Sequence, residues 1–364
     1  MSNPAQARLT IDLDALAHNF SVLREAAGGA EVAPVVKSDG YGLGAAPLAR
    51  RLWVEGARSF FVARLNEGEA LRQALGADRP ATIFVLDGLT TGSAPRFAAA
   101  GLTPVVASLP QAAAASVWAR QAGRRWPVAV HVDTGMNRQG LTPEEARALA
   151  QAPDGLKGLD VVLLMSHLGS ATAPSDRRSA EQLERFRQVA PLFPESRKSL
   201  AASAGVFLGP DYLFDVVRPG VSLYGGGPEE RPDPRLKAVA TLTAPILDIR
   251  NLKPGERVGY GAAVTLERPA RVAIVGAGYT DGILRSTMRG GYAWYGGARR
   301  SLVIVTMDLV AVDIGDAPAQ IGEHVELLGA NVLLDDLATA GGTVAHEVLV
   351  RLSTRAERIY LGEA

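Results

Sequence analysis

Lys37 ends the apolar run 32–36 and is followed by Ser38-Asp39-Gly40-Tyr41-Gly42-Leu43-Gly44. A strand that ends in a lysine puts an amine at the mouth of a sheet, where ligands of α/β proteins sit. Partly desolvated beside other cations, such an amine gives up its proton and attacks a carbonyl carbon to form a Schiff base. Gly40, Gly42 and Gly44 permit positive φ and close approach of backbone to a ligand. The plainer alternative is a surface lysine before a glycine-rich turn, and spacing alone leaves both open. Lysine usage sharpens the case. The chain holds Lys37, Lys157, Lys198, Lys237 and Lys253 against many arginines. Lys157 and Lys253 sit beside Gly or Pro, and Lys198 and Lys237 lie in charged surroundings. Only Lys37 ends a strand-like apolar run.

The elements that must position this lysine follow a rhythm of strand and helix. Leu9-Thr10-Ile11-Asp12-Leu13 alternates like a short strand. Asp14 is a candidate cap for a helix over 15–26, which Gly28-Gly29 ends. Apolar strand candidates follow at 32–36, 59–63, 82–86, 103–107, 128–132, 161–165, 199–202 and 216–223. Helical stretches rich in Ala, Leu, Arg and Glu separate them, as at 67–75, 110–122, 143–152 and 179–189. This repeat fits a (β/α)8 TIM-like barrel. A doubly wound sheet is the alternative, and no Gly-x-Gly-x-x-Gly after the first strand supports it. Lys37, Asp87, Asp133, His167, Ser203 and Arg218 fall at or near strand ends, which in a barrel converge on one face. Polar residues end strands anyway because loops are wet. Lysine, histidine and arginine together at one mouth are harder to attribute to that.

Gly, Pro and charge cluster at 226–234, as in a linker. Beyond it the apolar runs are short and β-rich: 240–249, 271–275, 301–307, 311–314 and 324–328. The expected fold class is therefore α/β, an N-terminal (β/α)8 TIM-like barrel followed by a mostly β C-terminal domain. Its expected parts are a tail at 1–8, the barrel at 9–230 and the β domain at 231–364. The first short strand is also a candidate for the β domain.

The chain has 364 residues and zero net charge, which argues against nucleic acid or an anionic membrane as partner. It has no cysteine, hence no disulfide framework and no thiolate metal site, and no metal is expected. Residues 1–8 lack a basic head followed by an apolar run, so no signal peptide is expected. No apolar stretch is long enough to span a bilayer. A soluble cytoplasmic protein is the expectation.

Val36-Lys37-Ser38-Asp39-Gly40-Tyr41-Gly42 resembles the cofactor-lysine motif of the alanine racemases, pyridoxal phosphate enzymes built on a barrel plus a β domain. The resemblance continues in family order. It runs through Asp133-Thr134-Gly135-Met136-Asn137-Arg138, Ser166-His167, Arg218-Pro219-Gly220-Val221-Ser222-Leu223-Tyr224-Gly225, Gly259-Tyr260-Gly261, Gly278-Tyr279-Thr280-Asp281-Gly282 and Met307-Asp308. It implies pyridoxal 5'-phosphate joined to Lys37. Tyr41, Ser203, Gly220 and Val221 match positions around its phosphate, and Arg218 the arginine facing its pyridine nitrogen. It makes Arg138 the partner of the substrate carboxylate, with Tyr279 and Met307 at the substrate entrance. Tyr260 matches a second catalytic base, with His167 and Arg218 in the polar chain behind it. In the family that tyrosine reaches the site from the other subunit, which implies a head-to-tail homodimer with shared sites. Asp281 and Asp308 also match, although plain structural roles suit both.

Two departures stand out. Many family members carry a lysine, modified to a carbamate that orients the substrate arginine, two residues before the Asp-Thr-Gly. This chain has His131 there. A family Ser-Tyr-Arg near the C-terminus aligns with Ser353-Thr354-Arg355, so Thr354 takes the place of an aromatic ring near the cofactor. Tyr360 nearby is an alternative for the tyrosine. The implied activity is racemisation of a small amino acid, alanine and by extension serine. Another barrel-type pyridoxal phosphate enzyme, a decarboxylase or aldolase, is a competing reading. The Tyr260 motif and the lack of cysteine argue against it. A non-catalytic carrier of the cofactor is a third, and the extra β domain argues against that.

Overall fold

The computed structural model describes residues 6–362. They divide into two compact units. One is Phe20–Gly40 with Gly44–Leu223; the other is the chain up to Asn19, Tyr41–Leu43 and the chain from Tyr224 onward.

β1 (Arg8–Asp12) belongs to the second unit. The first unit is built on β2 (Glu31–Val32), β3 (Ser59–Val62), β4 (Thr82–Val85), β5 (Thr103–Val106), β6 (Trp126–His131), β7 (Leu159–Met165), β8 (Arg197–Ser199) and β9 (Val216–Val217). β3 to β8 form a parallel sheet in chain order, and β2 pairs in parallel with β9. Single parallel bridges, Val35 with Phe61 and Ala202 with Arg218, join the two sheets and close the ring. Ser-Phe-Phe-Val in β3 is buried at every position. That is the pattern of a parallel strand covered on both faces, and it explains why these runs read as continuously apolar. Helices cross between strands. Leu65–Leu75 starts with Glu67 at its third position, whose carboxylate accepts from the Ala63 N–H at 2.7 Å and the Arg64 N–H at 3.2 Å. A Thr142/Glu145 capping box starts Pro143–Gln151. Such caps stabilise a helix by about 1 kcal/mol.

The second unit is a curled sheet. Its strands after β1 are β10 (Ala240–Leu252), β11 (Arg257–Val258), β12 (Val264–Thr265), β13 (Ala270–Val275), β14 (Tyr292–Tyr295), β15 (Ala298–Val305), β16 (Val310–Asp313), β17 (His324–Leu328) and β18 (Glu357–Leu361). The order is β13-β16-β15-β14-β17-β10-β1-β18, and β10 also pairs with β13. An irregularity between Ile246 and Asp248 bends β10 so that one strand serves both ends of the ring. Leu242 of β10 lies opposite Leu9 of β1 and Leu328 of β17, and all three are buried.

Several expectations change. β1 starts at Arg8 and pairs with β10 and β18, so residue 8 is strand rather than tail. Residues 1–5 lie outside the described residues. The β unit begins at Tyr224 rather than 231. Asp12, not Asp14, caps the first helix, accepting from the Ala15 N–H at 2.8 Å. The run 216–223 is strand only at Val216–Val217 and bends at Val221–Tyr224 into a 3-10 turn. The aromatic strand β14, the closing strand β18 and the helices Leu334–Gly341 and Ala345–Arg351 were not expected. Among the described residues no helix is long and apolar enough to cross a membrane.

Candidate active site

Lys37 opens a left-handed turn. Ser38, Asp39, Gly40 and Tyr41 have φ of 54°, 53°, 63° and 57°. For residues with a Cβ that conformation costs on the order of 1–3 kcal/mol each, and it persists only where the surroundings enforce it. Here they do. Glu67 accepts from the Ser38 N–H at 2.9 Å, and Asp39 accepts from the Ala45 N–H at 2.8 Å. At Gly40 a Cβ would stand 2.4 Å from Leu48, so this glycine is required for space as well as for φ. The turn holds Lys37 where burial and then Arg138 lower its pKa, while Glu67 and Asp87 oppose them. Burial and a cationic neighbour both favour the neutral amine.

Arg218 is 3 % exposed, and among the described residues no carboxylate pairs with it. It donates to the Ser166 carbonyl at 2.6 Å and to the Ser199 hydroxyl. Burial brings it down to about 10, so it remains a cation at neutral pH. His167 is held well below its ordinary value by burial and then by Arg218, Arg138, His131 and Lys37. Burial, Arg218 and Arg138 push His131 down to about 4, with Asp133 opposing. Both rings are therefore neutral at pH 7 within a cationic cluster. The structure thus brings Lys37, His131, Arg138, His167 and Arg218 into one electrostatic neighbourhood.

Neutral His131 in the fold must take up a proton on unfolding in acid. Its folded value lies below the unfolded one, so its contribution is present above pH ~6.5 and lost as pH falls toward 4. We expect denaturant stability to fall by up to ~1.4 kcal/mol per pH unit per such histidine. His131→Gln should flatten that slope, read from urea midpoints between pH 6.5 and 4; an unchanged slope would contradict a buried neutral ring.

Ser203 accepts from the Gly220 N–H at 2.9 Å and the Ser222 N–H at 3.3 Å. Ser222 is fully buried, and its hydroxyl has no partner. Gly220 and Val221 are buried beside it. A buried hydroxyl without a partner, a second serine hydroxyl and the backbone at the start of a 3-10 turn form a donor set that suits a phosphate.

The β unit gathers other expected residues. Tyr260, Tyr279 and Met307 line one cleft with Arg285, Met288 and Ile304. Tyr260 is 86 % exposed. Arg355 clamps this region, donating to Asp281 at 2.7 Å through Nε and to Asp308. Asp281 and Asp308 are thus ion-pair partners of one arginine. Thr354 is exposed and is not among the residues lining the cleft. Tyr360 donates to the Leu43 carbonyl at 2.9 Å. Tyr41 is buried, its ring 4.7 Å from Tyr224 and 5.8 Å from His346. Sequence reasoning gave no role to Glu67, Ser199 or Ser222. Glu67 carried a visible signal as a helix N3 glutamate; the serines carried none. Among the described residues no cluster of His, Cys, Asp or Glu suits a metal ion.

Residues 11–228 match the alanine racemase N-terminal domain and residues 239–360 the alanine racemase C-terminal domain. The chain belongs to the alanine racemase family. An alanine racemase of Methylobacterium sp. is 42 % identical over 99 % of both chains. Agrobacterium fabrum has two relatives, a catabolic alanine racemase at 40 % and a biosynthetic one at 41 %. The alanine racemase of Bartonella henselae, solved with covalently bound pyridoxal phosphate, superposes with a TM-score of 0.92. It shares 32 % identity, with 98 % of this chain and 100 % of that chain covered.

Proposed function

We propose that the chain is an alanine racemase that uses pyridoxal 5'-phosphate and works as a homodimer in the cytoplasm. The observation that carries the reading is Lys37, a half-buried amine whose pKa burial and Arg138 lower, near the strand ends that also carry Arg218 and His167. Lys37 would hold the cofactor. Ser203, Gly220, Val221, Ser222 and Tyr41 would take its phosphate, and Arg218, with no carboxylate of its own, its ring nitrogen. When bound, the cofactor supplies an electron sink that acidifies the Cα–H of an amino acid. Because Arg218 stays protonated, it would donate to that nitrogen and leave it without a proton, which would moderate the sink and disfavour transamination.

Arg138 offers a fork suited to the substrate carboxylate. Lys37 faces one side of Cα. We assign the other side to Tyr260 of the partner subunit. A phenol titrates near ~10 in water and needs cationic neighbours to act as a base at neutrality. The exposure of this ring on one chain leaves it free to meet such a cation, Arg218 behind neutral His167, at a second copy. For L-alanine the tyrosine, as its phenolate, would take the Cα proton, and Lys37, carrying a proton as its ammonium, would deliver that proton to the opposite face and return to the neutral amine. Neutral His167 beside Arg218 leaves the site without a second cation at that place. The test is incubation with L-alanine and chiral separation of the product. A mixture moving to equal L and D is expected; unchanged L-alanine would overturn the reading.

Thr354 stands where the family resemblance places a ring, although on one chain it is exposed and outside the Tyr260 cleft; on that resemblance alone serine is expected as a second substrate. Thr354→Tyr should narrow the enzyme toward alanine by ~10-fold or more in the serine-to-alanine ratio of kcat/KM, as pocket changes of ~1–3 kcal/mol do. An unchanged ratio would remove Thr354 from the pocket.

A further inference from the structure

We propose that one face of the helix Arg177–Val189, formed by Arg178, Gln182 and Arg185, positions Arg138 in place of the anion that His131 does not supply. This rests on the reading that Arg138 receives the substrate carboxylate. Positions i, i+4 and i+7 share one face of a helix. All three side chains bond the residues around the Arg138 loop. Arg178 donates to the Gly135 carbonyl at 2.8 Å through Nη2 and 3.3 Å through Nε. Arg185 donates to the Thr134 carbonyl at 2.9 Å. Gln182, fully buried, donates to the His167 carbonyl at 2.9 Å and to the Thr134 hydroxyl at 3.4 Å. Its own carbonyl accepts from the Gly169 N–H at 2.8 Å. The Thr134 hydroxyl also meets that of Ser166 at 2.8 Å.

The loop is therefore held from two sides. Its N–H groups at Gly135, Met136 and Asn137 converge on one Asp133 oxygen at 2.8, 2.9 and 3.1 Å. Its carbonyls at Thr134 and Gly135 go to the helix. The backbone of residues 134–137, which leads into Arg138, is thus held through both N–H groups and carbonyls. Two glycines make room for the grip. A Cβ on Gly135 would stand 2.4 Å from Arg185 Nη1, and one on Gly169 would stand 3.0 Å from Arg178 Cζ. Gln182 also links this loop to the His167 segment, so the carboxylate-binding arginine and the histidine share one support.

The test uses enzyme carrying its cofactor and propionate, a carboxylate without an amine. In Arg178→Ala/Arg185→Ala, which removes one half-buried and one exposed side chain, propionate binding by calorimetry should weaken by about tenfold or more, the scale expected for a misplaced binding group. The KM for alanine should rise in parallel, with a much smaller change in kcat. The absorbance of the bound cofactor should not move. Arg185→Lys keeps a donor and should retain most of the affinity, and Gln182→Ala should reproduce the loss. Wild-type propionate affinity in active variants, with or without a lower thermal midpoint, overturns the inference alone. A wild-type chain that neither racemises alanine nor binds propionate overturns both it and the function it rests on.

Discussion

Replacing Lys37 by alanine should lower racemisation by on the order of 10³-fold or more, equivalent to roughly 4 kcal/mol of lost transition-state stabilisation. On the proposed reading the residue has two tasks, and both would end together: it would hold the cofactor covalently and would act as the base on one face of Cα. Its left-handed turn is fixed by Glu67, Asp39 and Gly40, none of which touches its ammonium group through a hydrogen bond. The fold should therefore survive the change, and the loss can be read as chemistry. The yellow absorbance of lysine-bound cofactor should vanish, and the protein should still melt cooperatively. Retention of that band together with activity would remove Lys37 from its role.

Tyr260→Phe should lower the L-to-D direction by about 10²- to 10⁴-fold, the usual range for loss of a positioned acid or base. Cofactor content should not change, because the tyrosine is not among the residues assigned to hold the cofactor. With 86 % of its surface exposed, it also contributes little to the core, so stability should hardly change. If Lys37 and Tyr260 act from separate chains, mixing Lys37→Ala with Tyr260→Phe should restore part of the activity. A mixed dimer then has one site with both original residues. No recovery, with subunit exchange shown independently, would place both residues within one chain.

The barrel was legible because its strands are buried on both faces and so read as apolar runs, as Ser59–Val62 does. Lys37 was legible for a related reason: a cation ending such a run is conspicuous. The left-handed turn after it was not. Glycine announces positive φ at Gly40, but Ser38 and Asp39 do so only because Glu67 and the helix at Ala45 hold them there. The place of β1 in a sheet with β10 and β18 depends on pairings hundreds of residues apart, which no local pattern carries. Tyr292-Ala293-Trp294-Tyr295 has strand composition yet is short and flanked by glycines, so it reads as loop. Nothing in the sequence marked out the face of Arg178, Gln182 and Arg185 on the helix Arg177–Val189. Only the carbonyls of Thr134 and Gly135 turn it into a support.

The account turns on proton exchange at Cα between two faces, and L-alanine in D2O tests that most directly. Proton and deuterium at Cα are followed by NMR while the enantiomers are separated. The account predicts D-alanine carrying deuterium at Cα, since the proton leaves to one base and the replacement comes from another. Release of carbon dioxide or an aldehyde, or alanine that keeps its Cα proton and its configuration, would contradict it.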